Sequence, residues 1–296
     1  MTQWIDARPL SLVEALALLP GFPRRLWRQR ELVAAWVRRD LRSRLLGTFL
    51  GRAWPLLAPL ALFGAYWFVF TKLLGFRLPS LPPEQAAALG VYMFLGVVVW
   101  SAFAESLTRC TQAIVDNARL VARVQFPAEL LPVEIVLAQL VTMSIALLLF
   151  MVVAPLAGVW RAPGPWLVAA PLLLVLQALF TAGLGLLLAT LQVFVRDTAH
   201  VVAVALTLWM FATPLFWVPA PAVLPGIEGW LGFVDANPMH HLLYVWRAGL
   251  MGLEPDLCFG AGVGRSLAIF AVWAAGSFAL GHTAFVLGAR RFPDEA

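Results

Sequence analysis

Lysine is almost missing from this chain. Lys72 stands alone, and the other 20 of the 21 basic residues are arginine. A phosphate-binding P-loop needs G-x-x-x-x-G-K-[ST], whose lysine reaches the nucleotide phosphates. Lys72 is followed by Leu73, so the chain has no nucleotide site of that kind. HExxH, DFG and GxSxG are absent too, which removes the usual marks of zincins, protein kinases and serine hydrolases. Charge is scarce at 12%, about half the share of a soluble domain. Only two cysteines occur, Cys110 and Cys258. They fall in different connecting regions with no ligand-like spacing, so neither a metal cluster nor a disulfide is expected. The mildly apolar Leu10 to Leu19 is interrupted by Glu14 and lacks a basic leader and an Ala-x-Ala exit, so no signal peptide is expected.

Apolar residues fill the space that charge leaves. They make up 61% of the chain, with a mean hydropathy of +0.85. They are grouped into runs that approach the roughly 20 residues needed to cross a bilayer core as a helix. The expected fold is an all-α polytopic membrane protein with six transmembrane helices, at about 53–70, 89–107, 135–154, 166–190, 201–218 and 267–287. Pro55 and Pro59 suggest a bent entry into the first. Residues 1–30 read as a polar to mildly apolar leader within a 1–52 N-terminal region, and 288–296 as a short tail. Within that region, 31–46 reads as an amphipathic helix lying in the membrane surface. Val33, Val37, Leu41 and Leu45 form an i,i+4 ridge beside Trp36, and Arg38, Arg39, Arg42 and Arg44 reach toward headgroups.

The arginines also set an orientation. Lys72, Arg77, Arg161, Arg247 and Arg265 fall in one set of connectors, and the remaining 16 basic residues in the tails and the other set. The positive-inside rule then places both termini in the cytoplasm. It also accounts for the net charge of +5 without nucleic acid.

The 219–265 connector is itself semi-apolar. Asn237–Pro238 divides it into two helical stretches too short to cross, which reads as a pair of re-entrant helices shielded by protein. His240 and His241 are adjacent and point apart on a helix. With Asp235 they fall short of a zinc site, which needs three or more convergent ligands, and they read as surface or interfacial. Glu105 precedes Arg109 by four residues, the favourable order for a helical ion pair, and the two form a candidate gating pair. Tyr66 and Trp67 close the first span and Tyr92 opens the second. Trp100, Phe103 and Trp209 lie deeper. Belts at the membrane interface and ordinary packing explain such aromatics, and a conduit for sugars is the alternative. Gly260, Gly262 and Gly264 read as a close-packed lead-in to the last span.

Several blocks, in order from about residue 31 to 252, resemble the ABC-2 type permeases that export polysaccharide. In "LVAAWVRRDLRSRLLGTFLGRAWPLLAPL" the spacing of Arg42, Gly47, Gly51, Trp54 and Pro59 matches the family's step into its first span. "FLGVVVWSAFAESLTRCTQAIVDNARLVARVQFPAELLPV", "LQVFVRDTAHVV", "FATPLFWVP" and "NPMHHLLYVWRAGLMG" continue the match. One departure is Ala128, which stands between Pro127 and Glu129 where the family carries a basic residue.

The resemblance implies a permease subunit rather than an enzyme. It would act as a homodimer with two copies of a separate ATPase that binds ATP and magnesium, and move an undecaprenyl-linked polysaccharide, most closely O-antigen, across the bacterial inner membrane. It implies that Asn117, Arg119, Leu120, Arg123 and Phe126, with Arg196 and Asp197, couple to the ATPase. It also implies that Trp230, Asn237, Pro238, Tyr244 and Arg247 belong to a periplasmic gate. Two other readings remain open on sequence. One is a membrane enzyme acting on polyprenyl or lipid-linked substrates, and the other an exporter of a small lipid or drug with the same architecture.

Overall fold

The computed structural model describes residues 11–43, 57, 61, 64–65, 68–73, 88–123, 127–156, 163–219, 221, 225–251 and 262–295. Within these the fold is all α-helical. The segment read as a leader is folded in part. Helix α1, Leu12–Ala17, opens with a capping box in which Ser11 and Glu14 each satisfy the other's backbone N–H. Helix α2, Phe22–Arg28, follows after a short 3-10 turn, and α3, Arg30–Ser43, is the expected amphipathic helix. A π-helical turn, Phe68–Leu73, is described from the first expected span; the rest of that span lies almost wholly outside the described residues.

Four helices among the described residues are long and apolar enough to cross a membrane. These are α4, Ala88–Gln112; α6, Leu130–Leu156; α7, Ala170–Phe194, with a 3-10 turn Pro165–Ala169 ahead of it; and α11, Val263–Gly288. Each contains an expected span or nearly so and extends past it at one or both ends. Cys110, expected in a connector, is buried within α4. Gly262 precedes α11 with φ of +78°, a backbone form that glycine adopts freely.

The tightest contact in the bundle is between α7 and α11. A Cβ on Gly281 would run into the carbonyl of Gly183, and a Cβ on Gly183 into the backbone of Ser277 and Phe278. Two glycines, nearly a hundred residues apart in sequence, let the two backbones touch, as small residues do between membrane helices. Around this seam Phe103, Phe180, Phe270 and Trp209 form a continuous aromatic cluster, with Trp100 against Phe103 and Trp209.

The fifth expected span, 201–218, is helical only in its first part. Helix α8, Thr198–Ala212, stops at Thr213, whose ψ of 139° is extended. The following Pro214 forces this, because its ring clashes with a helical residue before it. At 15 residues, α8 is about 22 Å long, short of a bilayer core of roughly 30 Å. Beyond the break come α9, Leu231–Ala236, preceded by a 3-10 turn Ile227–Trp230, and α10, Pro238–Met251. These are the two short helices expected on either side of Asn237–Pro238. Helix α10 is buried almost throughout.

Candidate functional site

The bundle has two polar ends. At the first, α5, Ala118–Arg123, fills the connector between α4 and α6. The Asn117 amide donates to the Ala113 carbonyl, and its own carbonyl receives the Leu120 and Val121 N–H groups, so the residue ends one turn and starts the next. Arg119 and Leu120 are exposed. Arg123 closes the helix, and Phe126 lies outside the described residues. The second expected turn sits between α7 and α8. Gln192 clamps it, donating to the Arg196 carbonyl and accepting from the Ala199 N–H, and leaves Arg196 and Asp197 exposed.

The C-terminal helix α12, Phe292–Glu295, ties these parts together. It packs against α5, and the buried Phe292 ring lies 6.3 Å from Phe194 at the end of α7. Both turns therefore project from one end of one body.

The N-terminal helices brace this same end. Arg109 of α4 makes a two-pronged bond to Asp40 of α3, at 2.6 and 3.1 Å. The carboxylate that Arg109 meets is thus Asp40 and not Glu105, which is exposed. The expected Glu105–Arg109 pair is replaced because a carboxylate on a neighbouring helix can meet the planar guanidinium edge-on. Val33 is buried and Trp36, Val37 and Leu41 are half-buried, while Arg38, Arg39 and Arg42 face outward; Arg44 lies outside the described residues. Helix α3 rests against α6.

Helix α2 contributes a buried charge cluster that the sequence did not reveal. Arg25 Nε donates to Glu129 at 3.0 Å, its Nη1 to the Leu18 carbonyl, and its Nη2 lies 3.0 Å from His282 Nε2. His282 is also 3.3 Å from the second Glu129 oxygen. Phe22 lies edge-on to His282 and Phe278. Burial raises the Glu129 carboxyl, but the His282 ring beside it and the charge and bond of Arg25 outweigh it and hold the group below its ordinary range. The available signal was His282 itself, an ionisable residue inside an apolar helix.

At the opposite end the break after α8 is the organising feature. Irregular backbone at membrane depth must be satisfied by protein, and two side chains do this. Tyr92, at the start of α4, donates its hydroxyl to the carbonyls of Pro214 and Trp217. Arg247 of α10 donates Nε to the Tyr92 carbonyl, Nη1 to the Pro214 carbonyl at 2.8 Å and Nη2 to the Leu215 carbonyl. Its Cζ sits 3.3 Å from the Tyr92 ring centre, well inside the range of a cation–π contact. Arg247 is 2% exposed.

Asn237 ties α10 to α8. Its Oδ1 accepts from the Trp209 indole and from the Met239 N–H, and its Nδ2 donates to Thr213 Oγ1. The Met239 bond makes Asn237 the N-cap of α10, with Pro238 at the first helical position. Pro238 and Tyr244 are buried, whereas Trp230 is exposed.

His240 and His241, read as surface residues, are both buried. Helix α10 is enclosed by its neighbours, so adjacent positions are covered alike. His241 Nε2 donates to the Asp235 carbonyl, which leaves Nδ1 to accept from Ser266 Oγ, while Asp235 pairs with Arg265. These residues join α9, α10 and α11. Among the described residues no group of three or more histidines, cysteines and carboxylates is placed to hold a metal.

Of the aromatics considered for a sugar path, Tyr92, Trp100 and Phe103 are buried and Trp209 is packed against the core. Within this chain they pack. Tyr66 and Trp67 lie outside the described residues.

Known proteins match this sequence across most of its length. The ABC-2 type transporter family matches residues 31–251. The O-antigen export system permease protein RfbA of Myxococcus xanthus is 31% identical over 259 residues, covering 86% of this chain and 93% of that protein. Two proteins of the same description from Klebsiella pneumoniae are 24% and 23% identical, each over 73% of this chain and 79% of its own length. With membrane-length helices in a continuous bundle and a family match over most of the sequence, this chain belongs to the ABC-2 type transporters as a membrane permease.

Proposed function

We propose that this chain is the transmembrane permease subunit of an ABC exporter that moves a lipid-linked polysaccharide, of the O-antigen class, across the bacterial inner membrane. The observation that carries the reading is the likeness over 86% of the chain to a permease described as part of an O-antigen export system. Two copies of the chain form the path, and two copies of a separate ATPase, holding ATP and magnesium, drive it. Six spans with both termini in the cytoplasm complete the topology.

On this reading α5 and the Arg196–Asp197 turn are the handles that the ATPase moves. Both are exposed at one end of the bundle. The brace of α2 and α3 onto α4, α6 and α11 makes that end stiff enough to transmit force. Helices α9 and α10, at the other end, form the periplasmic gate. Translocation makes and breaks no covalent bond, so the chain's task is to bind, seal and move.

The test is deletion of the gene in its native host, with return of the wild type or of Leu120→Asp. Leu120→Asp places a charge in the contact that α5 offers its partner. The wild type is expected to restore surface polysaccharide. The variant is expected to reach the membrane in normal amount, pull down little ATPase and restore no export. Unchanged surface polysaccharide on deletion would overturn the reading. Normal pull-down and export by Leu120→Asp would remove α5 from it.

A further inference from the structure

We propose that Arg247 is a latch that holds the gate helix α10 closed against α4 and the broken end of α8. The proposal rests on the reading of α9 and α10 as the gate.

Three separate chain segments meet at this guanidinium. Nε bonds the backbone of α4 at Tyr92, and Nη1 and Nη2 bond the backbone of the stretch after α8 at Pro214 and Leu215. The stem belongs to α10. All three acceptors are main-chain carbonyls, so no acceptor rotates away; they separate only if the segments themselves move apart. The Tyr92 ring covers the guanidinium face, and the Tyr92 hydroxyl bonds Pro214 and Trp217 from the α4 side. The latch thus has two arms that converge on the stretch after α8, one from α10 and one from α4.

Helix α4 is shaped to receive it. A Cβ on Gly96 would lie 2.5 Å from Arg247 Nη2 and 3.5 Å from the Leu215 Cα. Gly96 stands mid-helix, where glycine is less favourable than alanine. Room for the guanidinium is what the glycine provides. A planar fork is required at this place: the three N–H donors of a lysine all leave one nitrogen on a flexible stem, and cannot span the Tyr92, Pro214 and Leu215 carbonyls as three separate guanidinium nitrogens do. Opening the gate therefore means withdrawing one guanidinium from three carbonyls as a unit. Such a contact gives two discrete states rather than a gradual loosening.

The experiment uses the full-length chain reconstituted with its ATPase partner in liposomes loaded with carboxyfluorescein. Dye leak is read without ATP, alongside protein incorporation and ATPase binding. Wild type is expected to retain the dye. Gly96→Ala, which displaces Nη2 while leaving the arginine in place, is expected to leak about tenfold faster, the effect of losing one charged hydrogen bond. Arg247→Lys is expected to leak more than Gly96→Ala, without rescue by its retained charge. ATPase binding at the far end of the bundle should be unchanged in both.

Tyr92→Phe removes only the second arm and should leak at an intermediate rate. If Arg247→Lys fails to incorporate, Gly96→Ala and Tyr92→Phe decide alone. Wild-type retention of dye by Gly96→Ala and Tyr92→Phe, or full rescue by Arg247→Lys, overturns the latch and leaves the gate reading standing. A wild-type complex that exports but leaks freely overturns the gate reading, and the latch with it.

Discussion

Replacing Asn237 by alanine should loosen the gate end by an amount that follows from its bonds. The amide oxygen caps α10 through the Met239 N–H at 3.0 Å, and loss of such a cap costs about 1 kcal/mol. The same oxygen is the acceptor of the Trp209 indole N–H at 3.0 Å. An indole left without its acceptor costs about 1–3 kcal/mol when buried. Trp209 is only partly buried, so the low end of that range applies. The Nδ2 bond to Thr213 Oγ1 adds a smaller loss, since the threonine hydroxyl still donates to the Trp209 carbonyl. Together the change is roughly 2–3 kcal/mol. Asn237→Asp keeps the cap and the indole acceptor but turns a carboxylate oxygen toward Thr213 and the Ala212 carbonyl, so it should be intermediate. The assay is heat-induced loss of the monodisperse chain in detergent, with tryptophan fluorescence reporting the Trp209 environment. An Asn237→Ala protein as heat-resistant as wild type, with unchanged fluorescence, would refute the reasoning.

Glu129→Gln should lower stability at neutral pH by about 2 kcal/mol, below the usual cost of breaking a buried pair because Arg25 keeps some access to water. Because the folded state holds Glu129 below its ordinary value of 4.5, its contribution is complete above that value and is lost as pH falls through the lower folded one. Acid titration of thermal stability should show this loss in wild type and not in Glu129→Gln. Gly281→Ala should cost about 3 kcal/mol, because the new methyl meets the Gly183 carbonyl and neither backbone yields; membrane abundance and heat resistance should both fall. Asp40→Ala should free α3 from Arg109 at about 1–2 kcal/mol, seen as faster tryptic cleavage after Arg38, Arg39 and Arg42 with the bundle intact.

Much of this was legible in the sequence, for physical reasons that also mark where legibility ended. Long apolar runs gave α4, α6, α7 and α11, because a lipid-spanning helix needs about 20 residues of one kind. Asn237–Pro238 announced the break between α9 and α10, since an N-cap and a first-turn proline act locally. The short helix α5 was readable from Arg119 and Arg123, four apart on one helical face, beside the apolar pair Leu120 and Val124 at the same spacing. Ser11 and Glu14 carried an equally local signal for α1 that composition obscured. What escaped depended on distance. The apolar run from 201 to 218 continues past Thr213, and only Pro214 hints that the helix stops. The donors that make the stop tolerable are 33 residues away at Arg247 and 122 away at Tyr92. Arg109 had an eligible local partner in Glu105 and chose Asp40, 69 residues distant. Gly183 and Gly281 are unremarkable singly and matter only as a pair across two helices. His240 and His241 looked like surface residues because sequence cannot show that neighbours cover α10 on every side.

The measurement that bears most directly on the account is transport by the reconstituted complex. Liposomes carrying this chain and its ATPase partner would be loaded in the outer leaflet with polyprenyl-linked polysaccharide, and protection of the glycan from an external glycosidase followed after ATP is added. The account predicts protection that requires the chain, the partner and ATP together, with no hydrolysis by the chain alone. A complex that assembles and hydrolyses ATP while the glycan stays fully accessible, or glycan movement at the same rate without ATP, would contradict it.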